Sequence, residues 1–111
     1  MTSSVVNAEM KTRISPCGIK LTAVQRRSVA AQLTLAMARF GDRIDQVIVR
    51  LSDARALPGY KHCRIEVNMR SKLVSAEHSD INIAEAVEHA VSRVARSVRR
   101  TIETEPWTTR R

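Results

Sequence analysis

The order of apolar patterns along this chain predicts an α+β domain, β-α-β-β-β-α, with two helices packed on one face of a four-stranded sheet. Three observations carry that reading. Two long stretches repeat apolar residues every three or four positions, as helices do, and shorter stretches alternate, as half-buried strands do. Each predicted element also has a single apolar side, which is covered most economically when both helices share one sheet face. At 111 residues the chain holds one domain with a core of its own. Residues 10–102 are read as that domain, residues 1–9 as a loosely held N-terminal tail and residues 103–111, with Pro106, as a C-terminal tail.

Residues 10–14 alternate Met10, Thr12 and Ile14 against Lys11 and Arg13, which predicts the first strand, and Pro16-Cys17-Gly18 is expected to break it. Thr22-Ala23-Val24-Gln25 has the form of a capping box, so the first helix starts at Thr22. Its apolar line runs Val29, Leu33, Met37 (or Ala36) and Phe40, and Gly41 is placed as its stop. Residues 44–51 are rich in β-branched side chains, with Val47, Val49 and Leu51 on one face. Pro58-Gly59 marks 52–60 as a loop. In 62–70 the residues Cys63, Ile65, Val67 and Met69 point inward, against His62, Arg64, Glu66, Asn68 and Arg70. Arg70-Ser71-Lys72 is a turn before a short strand over 73–77. The last helix, capped by Asp80, runs from Ile81 or Ile83 to Ile102, with Ile83, Val87, Val91 (or Ala90), Val94 and Val98 as its core line.

The charge is strongly basic, +8, and unevenly placed. No acidic residue falls between Glu9 and Asp42, where Lys11, Arg13, Lys20, Arg26, Arg27 and Arg39 stand. In the last helix Arg93, Arg96 and Arg100 share a face, with Arg99 beside them. The positions four before those three hold His89, Ser92 and Arg96, so no acid precedes them at salt-bridge spacing. Glu103, following Arg99 and Arg100, and the helix dipole account for part of the row, but not for all four arginines. Arg26 and Arg27 stand near a helix start, where the dipole disfavours cations. Such a surface suits a polyanion, and nucleic acid first. Three aromatics, Phe40, Tyr60 and Trp107, are too few and scattered to stack single-stranded bases, so phosphate contacts to structured RNA or DNA fit better.

Other chemistries find little support. Gly18, Gly41 and Gly59 are too far apart for a phosphate-cradling loop, and no nucleophile elbow or Walker sequence occurs, so no enzymatic activity and no cofactor are expected. Asp42, Asp45 and Asp53 read as solvated residues at strand ends. Adjacent His62 and Cys63 point to opposite strand faces, so with Cys17 and His78 they make no metal set, and Cys63 reads as a buried structural thiol. Two cysteines make no disulfide framework. No charged segment followed by a long apolar run opens the chain, so a cytoplasmic protein without membrane association is expected.

Three stretches resemble one family. Ile19-Lys20-Leu21-Thr22, with Arg26, Val29 and Leu33, is one. Arg39-Phe40-Gly41-Asp42-Arg43-Ile44, with Val47-Ile48-Val49 and Leu51-Ser52-Asp53, is the second. Ala86-Val87-Glu88, with Arg93-Val94-Ala95-Arg96-Ser97-Val98-Arg99-Arg100, is the third. Over residues 10–102 the chain is similar to the short ribosome hibernation-promoting factors and ribosome-associated inhibitors, also called sigma-54 modulation proteins. The resemblance implies the β-α-β-β-β-α fold and a translation inhibitor, monomeric off the ribosome, that binds small-subunit ribosomal RNA and blocks the messenger and transfer RNA sites. It implies RNA contacts at Arg26, Arg93, Arg96, Arg99 and Arg100, to which Lys20 and Arg27 are added as neighbours on the same basic segment. Gln32, where a basic residue is common, and the long 52–60 loop depart from the family pattern. The alternatives are a basic module that docks an acidic protein and a general binder of structured RNA.

Overall fold

The computed structural model describes residues 11–70 and 72–104; both predicted tails, apart from Glu103 and Thr104, lie outside that range, as do Met10, Ser71 and Trp107. The elements are β1 (Lys11–Cys17), α1 (Ala23–Met37), a 3-10 segment (Ala38–Arg43), β2 (Gln46–Asp53), β3 (Lys61–Met69), β4 (Lys72–Asp80) and α2 (Ile83–Thr104). The sheet order is β1-β2-β3-β4. β1 lies parallel to β2, across the α1 crossover, while β2, β3 and β4 form an antiparallel meander. Each helix follows a strand of the same direction, so α1 and α2 run parallel to each other.

The α+β architecture expected from the sequence is the one observed, and most faces are as read. Val29, Leu33, Met37 and Phe40 are buried beneath α1 and the 3-10 segment. They meet Val47, Val49 and Leu51 of β2 and Cys63, Ile65, Val67 and Met69 of β3, and α2 adds Val87, Ala90, Val91, Val94 and Val98. The capping box forms in both directions. The Thr22 hydroxyl accepts the Gln25 N–H and the Gln25 side chain accepts the Thr22 N–H, each at 3.0 Å. Losing the hydroxyl of such a cap costs about 1 kcal/mol.

Several boundaries differ, β2 among them, which runs Gln46–Asp53 where 44–51 was expected and takes in the first two residues of the expected 52–60 loop. β1 does not break at Pro16 but continues to Cys17, with Pro16 opposite Leu51. β1 is an edge strand, where a missing N–H is tolerated on the outer side. Gly41 is not a left-handed helix stop. α1 ends at Met37, and the chain tightens into a 3-10 segment closed by the Ile44 N–H on the Gly41 carbonyl, at 3.3 Å. β4 runs to Asp80, three residues beyond the short strand expected over 73–77, because pairing with β3 down to Lys61 carries it past its apolar residues. Asp80 therefore ends a strand and accepts the Asn82 N–H at 3.1 Å. Asn82 is the cap of α2, its side-chain oxygen accepting the N–H groups of Ala84 and Glu85 at 2.8 and 3.3 Å. α2 also extends past Ile102 to Thr104.

Two turns position the meander. Tyr60 N–H donates to the Leu57 carbonyl at 3.0 Å around Pro58-Gly59, and Gly59 takes φ +82°, a left-handed value that favours glycine. Between β3 and β4, Arg70 has φ 52° and its N–H donates to the Asp45 carboxylate at 2.9 Å. Asp45 is thus a structural acceptor, and Asp53 pairs with Lys61 at 2.9 Å.

Candidate nucleic-acid interface

The helix layer has two ends of different character. At the N-terminal end, Leu21, Gln25, Ser28, Val29 and Gln32 of the α1 side face Ile83, Ala84 and Val87 across a hollow of about 70 Å³. Gln32 turns into this seam, and its Oε1 is buried without a hydrogen-bond partner among the described residues. At the C-terminal end, Arg39 and Phe40 face Ser92, Ala95, Arg96 and Arg99 across an open groove of about 240 Å³. A neighbouring hollow of about 360 Å³ adds Asp42, Arg43, Ile102 and Glu103, and shares Arg39, Phe40 and Arg99 with the first. The two hollows adjoin as one channel between the helix ends, lined by Arg39, Arg43, Arg96 and Arg99 and, in the second hollow, by Asp42 and Glu103 as well.

Within it, the Arg39 guanidinium stands 5.5 Å from the centroid of the Phe40 ring. Among the described residues Arg39, Arg96, Arg99 and Arg100 have no ion-pair partner; Glu103 does not neutralise Arg99 or Arg100, as its spacing had allowed. Arg93 behaves differently from the rest of the row. It leans to the sheet edge and donates to the Glu77 carbonyl of β4 at 3.3 Å, so it fastens α2 to the sheet as well as carrying charge.

The basic residues of α1 divide as well. Lys20, Arg26 and Arg27 are exposed at the start of α1. Arg26 and Arg27 stand thirteen and twelve positions before Arg39, about 20 Å along the helix at roughly 1.5 Å per residue, and Lys20 precedes the helix altogether. Because the helices run parallel, Arg96 and Arg99 of α2 are brought beside Arg39, and Arg99 beside Arg43, rather than beside Arg26 and Arg27. Arg39 was visible in the sequence as a basic residue. The parallel helix pairing implied by β-α-β-β-β-α is the signal that would have promoted it. Lys20, Arg26 and Arg27 are exposed toward the other end of the helix pair.

Two solved structures share this fold. A ribosomal subunit interface protein from Coxiella burnetii superposes with a TM-score of 0.73 at 11% identity, covering 86% of this chain and 100% of that one. The N-terminal domain of Thermus thermophilus Protein Y gives 0.66 at 24% identity, covering 80% of this chain and 94% of that one. No family model and no curated protein matches the sequence. At these identities the likeness is one of fold.

The uncovered sheet face is polar and internally paired. Glu66, its side chain 17% exposed, accepts from Arg64 Nε at 3.0 Å and from Arg50 Nε at 3.4 Å. Arg64 also reaches Ser75, and Glu77 lies 2.9 Å from His62 Nε2. Much of the positive charge here is consumed locally, unlike that of the helix channel. A hollow of about 840 Å³ at the end of this face, under the 54–60 loop, mixes Arg50 and Arg55 with Asp53, Leu57, His62 and Ser79 and concentrates no single charge.

The hydrogen bond from Arg64 is the main force holding the Glu66 carboxyl below the ordinary carboxylate value; burial opposes it, and the charges of Arg50 and Arg64 add to it. The unfolded chain therefore binds this proton more readily than the folded one. The resulting stabilisation is complete above the unfolded value, near pH 4.3, and is lost as pH falls through the lower folded value. Glu66→Gln is expected to flatten the acid limb of a urea-midpoint curve below about pH 5. An acid limb of unchanged slope in that variant would assign the sensitivity to other carboxylates.

The two thiols differ as expected. Cys63 is buried between the layers and burial pushes it up to about 12, whereas Cys17 is exposed. A disulfide reagent is expected to titrate Cys17 in the native chain and Cys63 only after unfolding. Prompt reaction of both thiols without denaturant would contradict the burial of Cys63. Cys63 faces the core and His62 the open sheet, so these neighbours do not converge on one ion. Among the described residues no helix is long and apolar enough to cross a membrane.

Proposed function

We propose that this chain is a non-enzymatic, cytoplasmic ribosome-associated factor that docks its helix face on small-subunit ribosomal RNA and excludes messenger and transfer RNA. The observation that carries the reading is the channel of Arg39, Arg96 and Arg99, with Arg100 beside it, cations without ion-pair partners among the described residues. Phosphates are the chemistry that satisfies them, and a paired-helix surface of this breadth suits a folded RNA more than a flexible strand. The fold shared with a protein named for the ribosomal subunit interface supports the choice of RNA. Inhibition is then steric and needs no catalytic group. Lys20, Arg26 and Arg27 supply further phosphate contacts at the far end of the face, and the factor acts as a monomer.

The test is cosedimentation with purified small subunits across a salt series, with bulk RNA as competitor. Binding that weakens steeply with salt yet survives excess bulk RNA supports the proposal. Competition at equal affinity would reduce it to a general structured-RNA binder. A protein-docking reading gains one observation, the exposure of Val24 and Leu35 (66% and 81%) on the outer face of α1. It predicts that Val24→Ser with Leu35→Ser abolishes partner binding, whereas the RNA reading predicts little change.

A further inference from the structure

We propose that His78, Asp80 and His89 form a binding site for one divalent transition ion of the zinc type. His78 and Asp80 are two residues apart on β4, so both lie on the helix-covered side of the sheet edge. His89 comes to them from the first half of α2. One donor atom from each of the three lies within 4.8 Å of the others. The two imidazole centroids are 4.6 Å apart with planes tilted by 43°, and His78 Nε2 is 3.8 Å from an Asp80 carboxylate oxygen. Glu85, one helical turn before His89, stands 3.4 Å from His89 Nε2 and borders the three donors without belonging to the set.

The geometry is close to what such an ion requires. Zinc–ligand bonds of about 2.0–2.2 Å put tetrahedral donors about 3.3 Å apart, so the groups must draw in by about 1.5 Å at most. Side-chain rotation supplies that, since His78, Asp80 and His89 retain 24%, 34% and 51% of their side-chain exposure. Two imidazoles with a carboxylate suit zinc, nickel or copper, whereas magnesium and calcium demand an all-oxygen shell. The pattern is one pair at i, i+2 on a strand and a single histidine on a helix. Neither part is diagnostic alone, and only the packing of α2 on β4 unites them.

A bound ion would clamp the free edge of the sheet to α2. It would also place two positive charges one turn before Arg93, at the head of the arginine row. The site stands whether or not the chain binds RNA.

Calorimetric titration of tag-free, chelator-treated protein with Zn²⁺ tests it. One saturable equivalent of micromolar affinity or better is expected. His78→Ala and His89→Ala should each weaken it by more than about tenfold. His62→Ala should leave it unchanged, because His62 faces the opposite side of the sheet. In the unmutated protein, imidazole NMR signals of His78 and His89 should shift on adding Zn²⁺ while those of His62 stay. Absence of saturable binding, or equal shifts at His62, would overturn the site.

Discussion

Converting Arg39, Arg96 and Arg99 together to Glu is expected to lower affinity for small ribosomal subunits by about two orders of magnitude at moderate salt. The estimate follows from about 1 kcal/mol per phosphate contact for three contacts, at about 1.4 kcal/mol per factor of ten. The slope of log affinity against log salt should also fall by about 2–3, since each lost phosphate contact removes roughly one released counterion. Folding should be little affected. These side chains project into the channel without ion-pair partners, so stability should change by no more than about 1 kcal/mol. Arg93→Glu is a poorer probe because it also breaks the hydrogen bond to Glu77. Reversal of Arg26 and Arg27 should cost less than reversal of the channel. An unaltered affinity and salt slope in the channel variant would remove the channel from the binding surface.

Leu33→Ala is expected to destabilise the protein by about 2–5 kcal/mol, read as a lower urea midpoint. Leu33 is completely buried under α1, between Val29 and Met37 on the helix line that meets the sheet. Truncation removes apolar contact and leaves a cavity that strands β2 and β3 cannot close. Against a total of about 6–16 kcal/mol for a chain of this length, that is a large fraction. Leu35→Ala, two positions on and 81% exposed, is the matching control and should stay within about 0.5 kcal/mol. The reverse order of costs would mean that α1 is rotated from the orientation described.

The contrast between Leu33 and Leu35 shows how much was legible in the sequence. Leu33 belonged to a four-member apolar line and was read as core, and the alternation of β3 and the capping box at Thr22 were equally plain. Less legible features depended on partners remote in the chain. Pro16 signals a break locally, but an edge position beside Leu51 accommodates it. Ala76, His78 and Asp80 carry little apolar signal, yet their pairing with β3 prolongs β4 and transfers the helix cap from Asp80 to Asn82. The proposed binding surface follows the same logic. The arginines of α2 were conspicuous because they lacked acids on their own helix. Their neighbour across the groove, Arg39, depended on the relative direction of two helices. His78 and His89 are unremarkable singly, and only the seating of α2 against the sheet edge brings their rings together.

The parallel seating of β1 beside β2 bears on the order of folding. β2, β3 and β4 follow one another in the chain as antiparallel neighbours and α2 follows directly, so this part of the chain closes through contacts near in sequence. β1 reaches β2 only across residues 18–45, and the entropy of closing that excursion must be met before its pairing contributes. The meander with α2 is thus expected to form the kinetic nucleus, with β1 and α1 docking onto it late. In native-state hydrogen exchange the amides of β1 should open at lower free energy than those of β3, which is paired on both sides.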